Sequence, residues 1–207
     1  MQKYSSKILE NAINQIGKLP GIGHRTAVRL TLFLLKQPKE EVKIFTESID
    51  MLRNNISFCH ICHNISDGEE CEICSNPSRD KSMICVVQDI RDVLAIENTN
   101  VYKGVYHVLN GVISPIEGIG VADLNIDSLL QRLEKESVAE IFMALPATTE
   151  GDTTAYYISK HIKTRFPQIK VTTIARGVSV GNELENTDEI TLARSIVHRV
   201  EFESTFK

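Results

Sequence analysis

Four of the five cysteines fall in one short run, Cys59-x2-Cys62-x8-Cys71-x2-Cys74. Two C-x-x-C knuckles on the arms of a turn, with Asp67-Gly68 at its tip, bring four thiolates into a tetrahedron that suits Zn²⁺. Residues 58–79 hold few large aliphatic side chains, so a segment of this size needs a staple to stay folded. Two disulfides, or a redox C-x-x-C, are the other readings of the spacing. Nothing in the sequence indicates an oxidising compartment, and redox work needs only one pair. His60 and His63 stand beside the knuckles and could replace a thiolate, but four thiolates already complete a shell with no open position for catalysis. The spacing predicts one structural Zn²⁺ per chain on Cys59, Cys62, Cys71 and Cys74. Cys85, within an apolar run, is expected to be inert core.

A second chemical signal is Leu19-Pro20-Gly21-Ile22-Gly23, followed by a helical pattern bearing Arg25 and Arg29. Gly21 and Gly23 let the backbone approach a partner with no Cβ in the way. The helix start behind them offers amides and a positive dipole end to a phosphate. Arg25 and Arg29 share a helix face, and Lys18 lies just upstream. The bland alternative is an ordinary helix corner with solvated arginines. The local basic excess favours sequence-indifferent contact with a DNA backbone, because phosphate contacts position and do not specify.

Carboxylates form the third group. Asp89 follows one apolar run, after Gln88, and Glu150 and Asp152 follow another. Acids at neighbouring strand ends would suit Mg²⁺ and phosphoryl chemistry. Gln88, however, is neutral where a carboxylate would be most useful, and Glu150 and Asp152 equally suit the start of a helix near Thr153. No G-x-x-x-x-G-K-[ST] run supports a P-loop.

The elements that must position these groups are legible as periods. Ile8, Leu9, Ala12, Ile13 and Ile16 recur at helical spacing behind Ser5 or Ser6 as cap. Further helices are expected over 24–36 and 38–55, the last with Val42, Phe45, Ile49 and Leu52 on one face. Beyond the cysteines, strands at 83–87, 105–109, 140–144 and 170–175 alternate with helices at 90–98, 127–135, 153–164 and 188–197. Residues 111–120 and 177–186 read as loops. That alternation predicts a mostly parallel sheet covered on both faces.

The 207-residue chain carries 23 basic and 27 acidic residues, and its net charge of −4 argues on average against nucleic acid. By segment the picture changes: 1–55 is +4, while 56–80 and 81–207 are each −4. The beginning of the sequence shows no apolar leader core, and no run approaches the ~18 apolar residues of a spanning helix. A cytoplasmic protein with no membrane partner is the expectation.

Taken in order, the stretch from Leu19 to Leu30, the four-cysteine run, the segment 102–120, Thr149-Glu-Gly-Asp-Thr-Thr and the segment 175–185 closely resemble the RecR family of bacterial recombination mediators. The resemblance implies an α/β multi-module chain. Its parts would be a helix-hairpin-helix at 1–55, a four-cysteine zinc finger at 56–80, a Toprim domain at 81–175 and a C-terminal Walker-B-like segment and helix at 176–207. It further implies a non-catalytic DNA-binding mediator of the RecF pathway, acting in recombinational repair with RecO and often RecF to load recombinase on single-stranded DNA. The expected form is a homo-oligomer, dimer or ring tetramer, that clamps DNA in the bacterial cytoplasm and nucleoid. By position, the family's DNA-contacting pair falls on Arg25 and Arg29, and its Toprim acidic positions on Gln88, Asp92, Glu150 and Asp152. Departures fall at Gln88, at Pro146-Ala147-Thr148, and at Ser179 and Asn182, and they count against metal chemistry at the Toprim face. The rival reading is a metal-dependent Toprim nuclease or topoisomerase-like enzyme.

Overall fold

In the computed structural model, which describes residues 6–201, helix α1 (Lys7–Ile16) opens at Ser6, whose Oγ accepts the Leu9 amide at 3.3 Å. Of the two candidate caps, Ser5 lies outside the described residues. The chain divides into two units, Met1–Ile56 and Ser57–Lys207. In the first, α1 ends at Gly17, and α2 (His24–Lys36) packs on it around Ile13 and Ala27. Helix α3 (Lys39–Asn55) follows Pro38 and buries no residue at all. The apolar stripe expected on one face of it is largely open: Val42 is half-buried, and Phe45, Ile49 and Leu52 are each about half exposed. Leu32, Phe33 and Leu35 of α2 are exposed as well.

The second unit begins with an antiparallel ribbon, β1 (Ser57–Phe58) and β2 (Ile65–Ser66), and one helical turn, α4 (Glu72–Ser75). There follow β3 (Asp80–Val87), α5 (Ile90–Glu97), β4 (Gly104–Val108), α6 (Ile126–Lys135), β5 (Glu140–Ala144), α7 (Thr149–Arg165), β6 (Lys170–Thr173) and α8 (Glu189–Val197). The four long strands form one parallel sheet in the order β4-β3-β5-β6. Ile84 and Val86 point to the face covered by α6 and α7, where Leu129, Ile158 and Ile162 are buried. Cys85 and Val87 point to the other, against Val93 of α5. Burial on both faces explains why this strand reads as an uninterrupted apolar run.

The connection from β3 runs outward to β4, and the chain then crosses back to β5. The C-terminal ends of β3 and β5 therefore form the switch point where open α/β sheets bind ligands. Two elements differ from expectation there. Helix α7 starts at Thr149 and not near Thr153, because Thr148 caps it by accepting the Gly151 amide at 3.1 Å. Residues 111–120 are no plain loop: Ser114 and Ile119 bridge across a 3-10 turn at Pro115–Glu117. Among the described residues, no helix is long and apolar enough to cross a membrane.

Candidate functional site

The first knuckle closes on itself. The Cys59 amide donates to the Asn64 carbonyl at 2.8 Å, and the His63 amide to that of Cys59 at 2.9 Å. His63 takes the left-handed turn position, φ 61°, in the reversal between β1 and β2, and the chain bends again over 67–70. Cys71 caps α4, which carries Cys74 on its single turn. All four sulfurs lie within 4.8 Å of one another and are buried. Cys62 and Cys71 Sγ stand 3.5 Å apart, too far for a disulfide at ~2.0 Å and close to the ~3.8 Å edge of a tetrahedron with Zn–S near 2.3 Å. His60 Nδ1 is taken up by the Glu69 carbonyl at 2.8 Å and His63 Nε2 by Ser128 Oγ at 2.8 Å, so neither ring competes with the thiolates. The donor set fits zinc, which would supply the finger's structural centre and no open coordination position. Cys85 is fully buried in the sheet, where burial pushes its thiol up.

In the first unit, the turn between α1 and α2 needs φ 76° at Gly21, a conformation glycine adopts without strain. Beyond the adjoining residues, no atom lies within 4 Å of where a Cβ on Gly21 or Gly23 would stand, so the turn is open to an approaching surface. Gly23 caps α2 with no side-chain hydrogen bond, and no acid lies in the first turn. Arg25, Arg29 and Lys18 are all exposed, and Lys18 Nζ rests on Gln15 Oε1 at 3.1 Å.

The acidic positions at the switch point are less available than their spacing suggests. Asp89 caps α5 by accepting the Arg91 amide at 2.7 Å, and Asp92 Oδ2 accepts the Asp89 amide at 3.0 Å. The Arg91 side chain bonds Asp89 and holds its carboxyl below the usual range. Asp152 is clamped by Arg176 through two hydrogen bonds, 2.6 and 3.1 Å long, with Arg194 at 3.8 Å. Glu150 is half-buried in the first turn of α7, where the helix dipole favours a negative charge. Gln88 is half-buried, and its carbonyl accepts the Gly111 amide at 3.0 Å. Among the described residues, the four thiols are the one group of three or more ligating side chains near enough to share an ion.

Sequence reasoning gave no role to several residues that shape this face. Thr154, fully buried, accepts the Ile113 amide at 2.9 Å and donates to the Glu150 carbonyl at 2.7 Å, joining the 111–120 segment to α7. Arg132 is buried and donates to the Tyr106 carbonyl at 2.8 Å. The contacts that tie them to other elements, Thr154 to Ile113 and Arg132 to Tyr106, link residues remote in sequence and leave no local signal.

Comparison with known proteins follows the same division of the chain. Residues 9–52 match the RecR helix-hairpin-helix, 56–76 the RecR zinc finger domain of four cysteines, 82–175 the Toprim domain and 177–200 the RecR C-terminal family. Recombination protein RecR of Flavobacterium johnsoniae is 57% identical over 99% of this chain and 98% of its own length. The protein of that name from Porphyromonas gingivalis W83 is 51% identical over 100% and 99%, and that from Amoebophilus asiaticus 56% over 95% and 98%. With the thiol cage, the open glycine turn and the parallel sheet in the order these matches require, the chain belongs to the RecR family of recombination proteins.

Proposed function

We propose that this protein is a non-catalytic DNA-binding mediator of recombinational repair, gripping DNA without regard to sequence as an oligomeric clamp. The observation that carries the reading is the open turn at Gly21 and Gly23 beside exposed Lys18, Arg25 and Arg29, in the segment of the chain with the basic excess. The resemblance assigns it RecO, and often RecF, as partners in loading recombinase on single-stranded DNA in the bacterial cytoplasm and nucleoid. Its modules are 1–55, 56–80, 81–175 and 176–207.

Oligomerisation is supported by the first unit. Gln15, Leu19, Phe33, Phe45 and Ile49 line an apolar groove of about 640 Å³ that its own helices leave uncovered. A surface of this kind is expected where chains associate. The Toprim face is read as a docking platform. Gln88 is neutral, Asp89 and Asp92 are engaged in capping α5, and Asp152 is neutralised by arginine, which leaves Glu150 as the acid free to meet a partner. The test is mass in solution with and without single-stranded DNA, by sedimentation. A dimer or tetramer that binds DNA is the expected result; a monomer at micromolar concentration in both states would overturn the clamp.

A further inference from the structure

Beneath the first knuckle lies a chain of polar contacts between groups remote in sequence. Ser128 Oγ donates to the Asn125 carbonyl at 2.9 Å, so its one proton is spent and it must accept from His63 Nε2 at 2.8 Å. The Asn125 carbonyl also accepts His107 Nε2 at 2.8 Å. A neutral imidazole with its proton on Nε2 has a bare Nδ1, and His107 Nδ1 is indeed buried with no partner. The two rings meet edge to face, with centroids 5.1 Å apart. Asn125 in turn closes the neck of the 111–120 segment: its amide donates to the Leu109 carbonyl and its Nδ2 to that of Val108, each at 3.0 Å. A second thread runs from the metal cage itself, because the Cys62 carbonyl accepts the Val108 amide at 2.8 Å. Strand β4 is an edge strand, and this bond closes its C-terminal end.

We propose that zinc in the finger holds the Toprim-side segment 109–125 in place through His63, Ser128 and Asn125, with the Cys62 carbonyl on Val108 as a second tie. His63 and Ser128 are positioning residues in this scheme. The finger is too small to keep its shape without the metal, so loss of zinc frees His63 from the position that Ser128 requires. The segment so released carries the contacts to Gln88 and, through Ile113, to Thr154 and α7. Zinc occupancy is thereby read at the Toprim face without any ligand bound there. Coupling of this kind is reciprocal: whatever loosens Asn125 also weakens zinc.

The test is amide hydrogen exchange on the full chain, with zinc and after chelation. Protection at Val108 and Asn125 falls about tenfold on chelation, the scale of one lost hydrogen bond, while Lys170 and Ile174 on the far side of the sheet are unchanged. Ser128→Ala with zinc bound loses protection at Asn125 but keeps it at Val108, and Ser128→Thr, which retains the hydroxyl, restores it. Ser128 is the better site to alter, because a substitution at His63 also meets its φ of 61°. Equilibrium competition with a chromogenic chelator gives weaker zinc binding in Ser128→Ala and wild-type binding in Ser128→Thr. Unchanged protection over 109–125 on chelation, a uniform rise across the whole sheet, or Ser128→Ala matching wild type in both exchange and zinc affinity would overturn the proposal.

Discussion

Asp152 and Arg176 face each other as a two-pronged ion pair, with Nη2 to Oδ1 at 2.6 Å and Nη1 to Oδ2 at 3.1 Å. The pair joins the first turn of α7 to the chain just beyond β6, and Arg194 of α8 adds a more distant charge. Hydrogen bonding to Arg176 holds the Asp152 carboxyl below its ordinary range. The folded state therefore binds fewer protons than the unfolded one, and the pair's contribution is complete above pH ~4 and lost as the pH falls below it. Asp152→Asn is expected to cost less than about 1 kcal/mol at pH 7, since the pair is partly solvated. It should also flatten acid destabilisation below pH ~4, which urea unfolding across a pH series would measure.

Gly151 lies one residue away and has a stricter requirement. A Cβ placed there would stand 2.1 Å from the Pro146 carbonyl oxygen, a backbone atom that cannot turn aside. Gly151→Ala should cost about 2–3 kcal/mol despite the better helix propensity of alanine. The denaturation midpoint reports it. A neutral or stabilising result would show that the 146–151 turn moves freely.

At the hairpin, Arg25→Ala with Arg29→Ala should weaken DNA binding without changing the thermal midpoint. The slope of log affinity against log salt should fall by about one for each phosphate contact removed. An unchanged slope would remove both arginines from the interface.

For the finger, elemental analysis of the purified chain should find one zinc per chain, and Cys62→Ser with Cys71→Ser should abolish it. Neighbouring Cys85→Ala should leave the metal in place, because Cys85 packs in the sheet with Val87 and Val93.

Glu97 tests a different kind of contact. It pairs with Arg79, receives the Tyr106 hydroxyl at 2.7 Å, and is only about a quarter exposed. Glu97→Ala leaves a mostly buried guanidinium without its carboxylate and should cost about 3 kcal/mol, read from chemical denaturation.

The parallel sheet, its order of helices and the thiol cage were legible because each rests on local pattern: apolar runs, helical stripes and C-x-x-C spacing. Glu140–Ala144 falls on the expected residues, since its short apolar core, Ile141-Phe142-Met143-Ala144, is bounded by Glu140 and by Pro146. The start of α7 was misread because Thr148-Thr149-Glu150-Gly151 looks like loop, and only the close approach of Gly151 to Pro146 reveals why glycine stands inside a first turn. The acidic face was legible as composition and not as chemistry. Asp92 takes its role from the Asp89 amide three residues back, a capping-box spacing at the start of α5, whereas Asp152 takes its role from a guanidinium that no spacing rule links to it. The relay from His63 to Asn125 was invisible because its first link, His63 to Ser128, spans 65 residues.

Helix α3 buries none of its residues, and in the proposed oligomer this would tie the order of the hairpin unit to abundance. An apolar stripe left in water gains nothing from folding alone; it gains by mass action when another surface arrives. On the proposed clamp, the half-exposed Phe45, Ile49 and Leu52 are what a second chain would cover, and the order of the hairpin would then rise with concentration. In a cell holding few copies, grip on DNA would be set by how many chains are present and near one another, before any partner or signal intervenes.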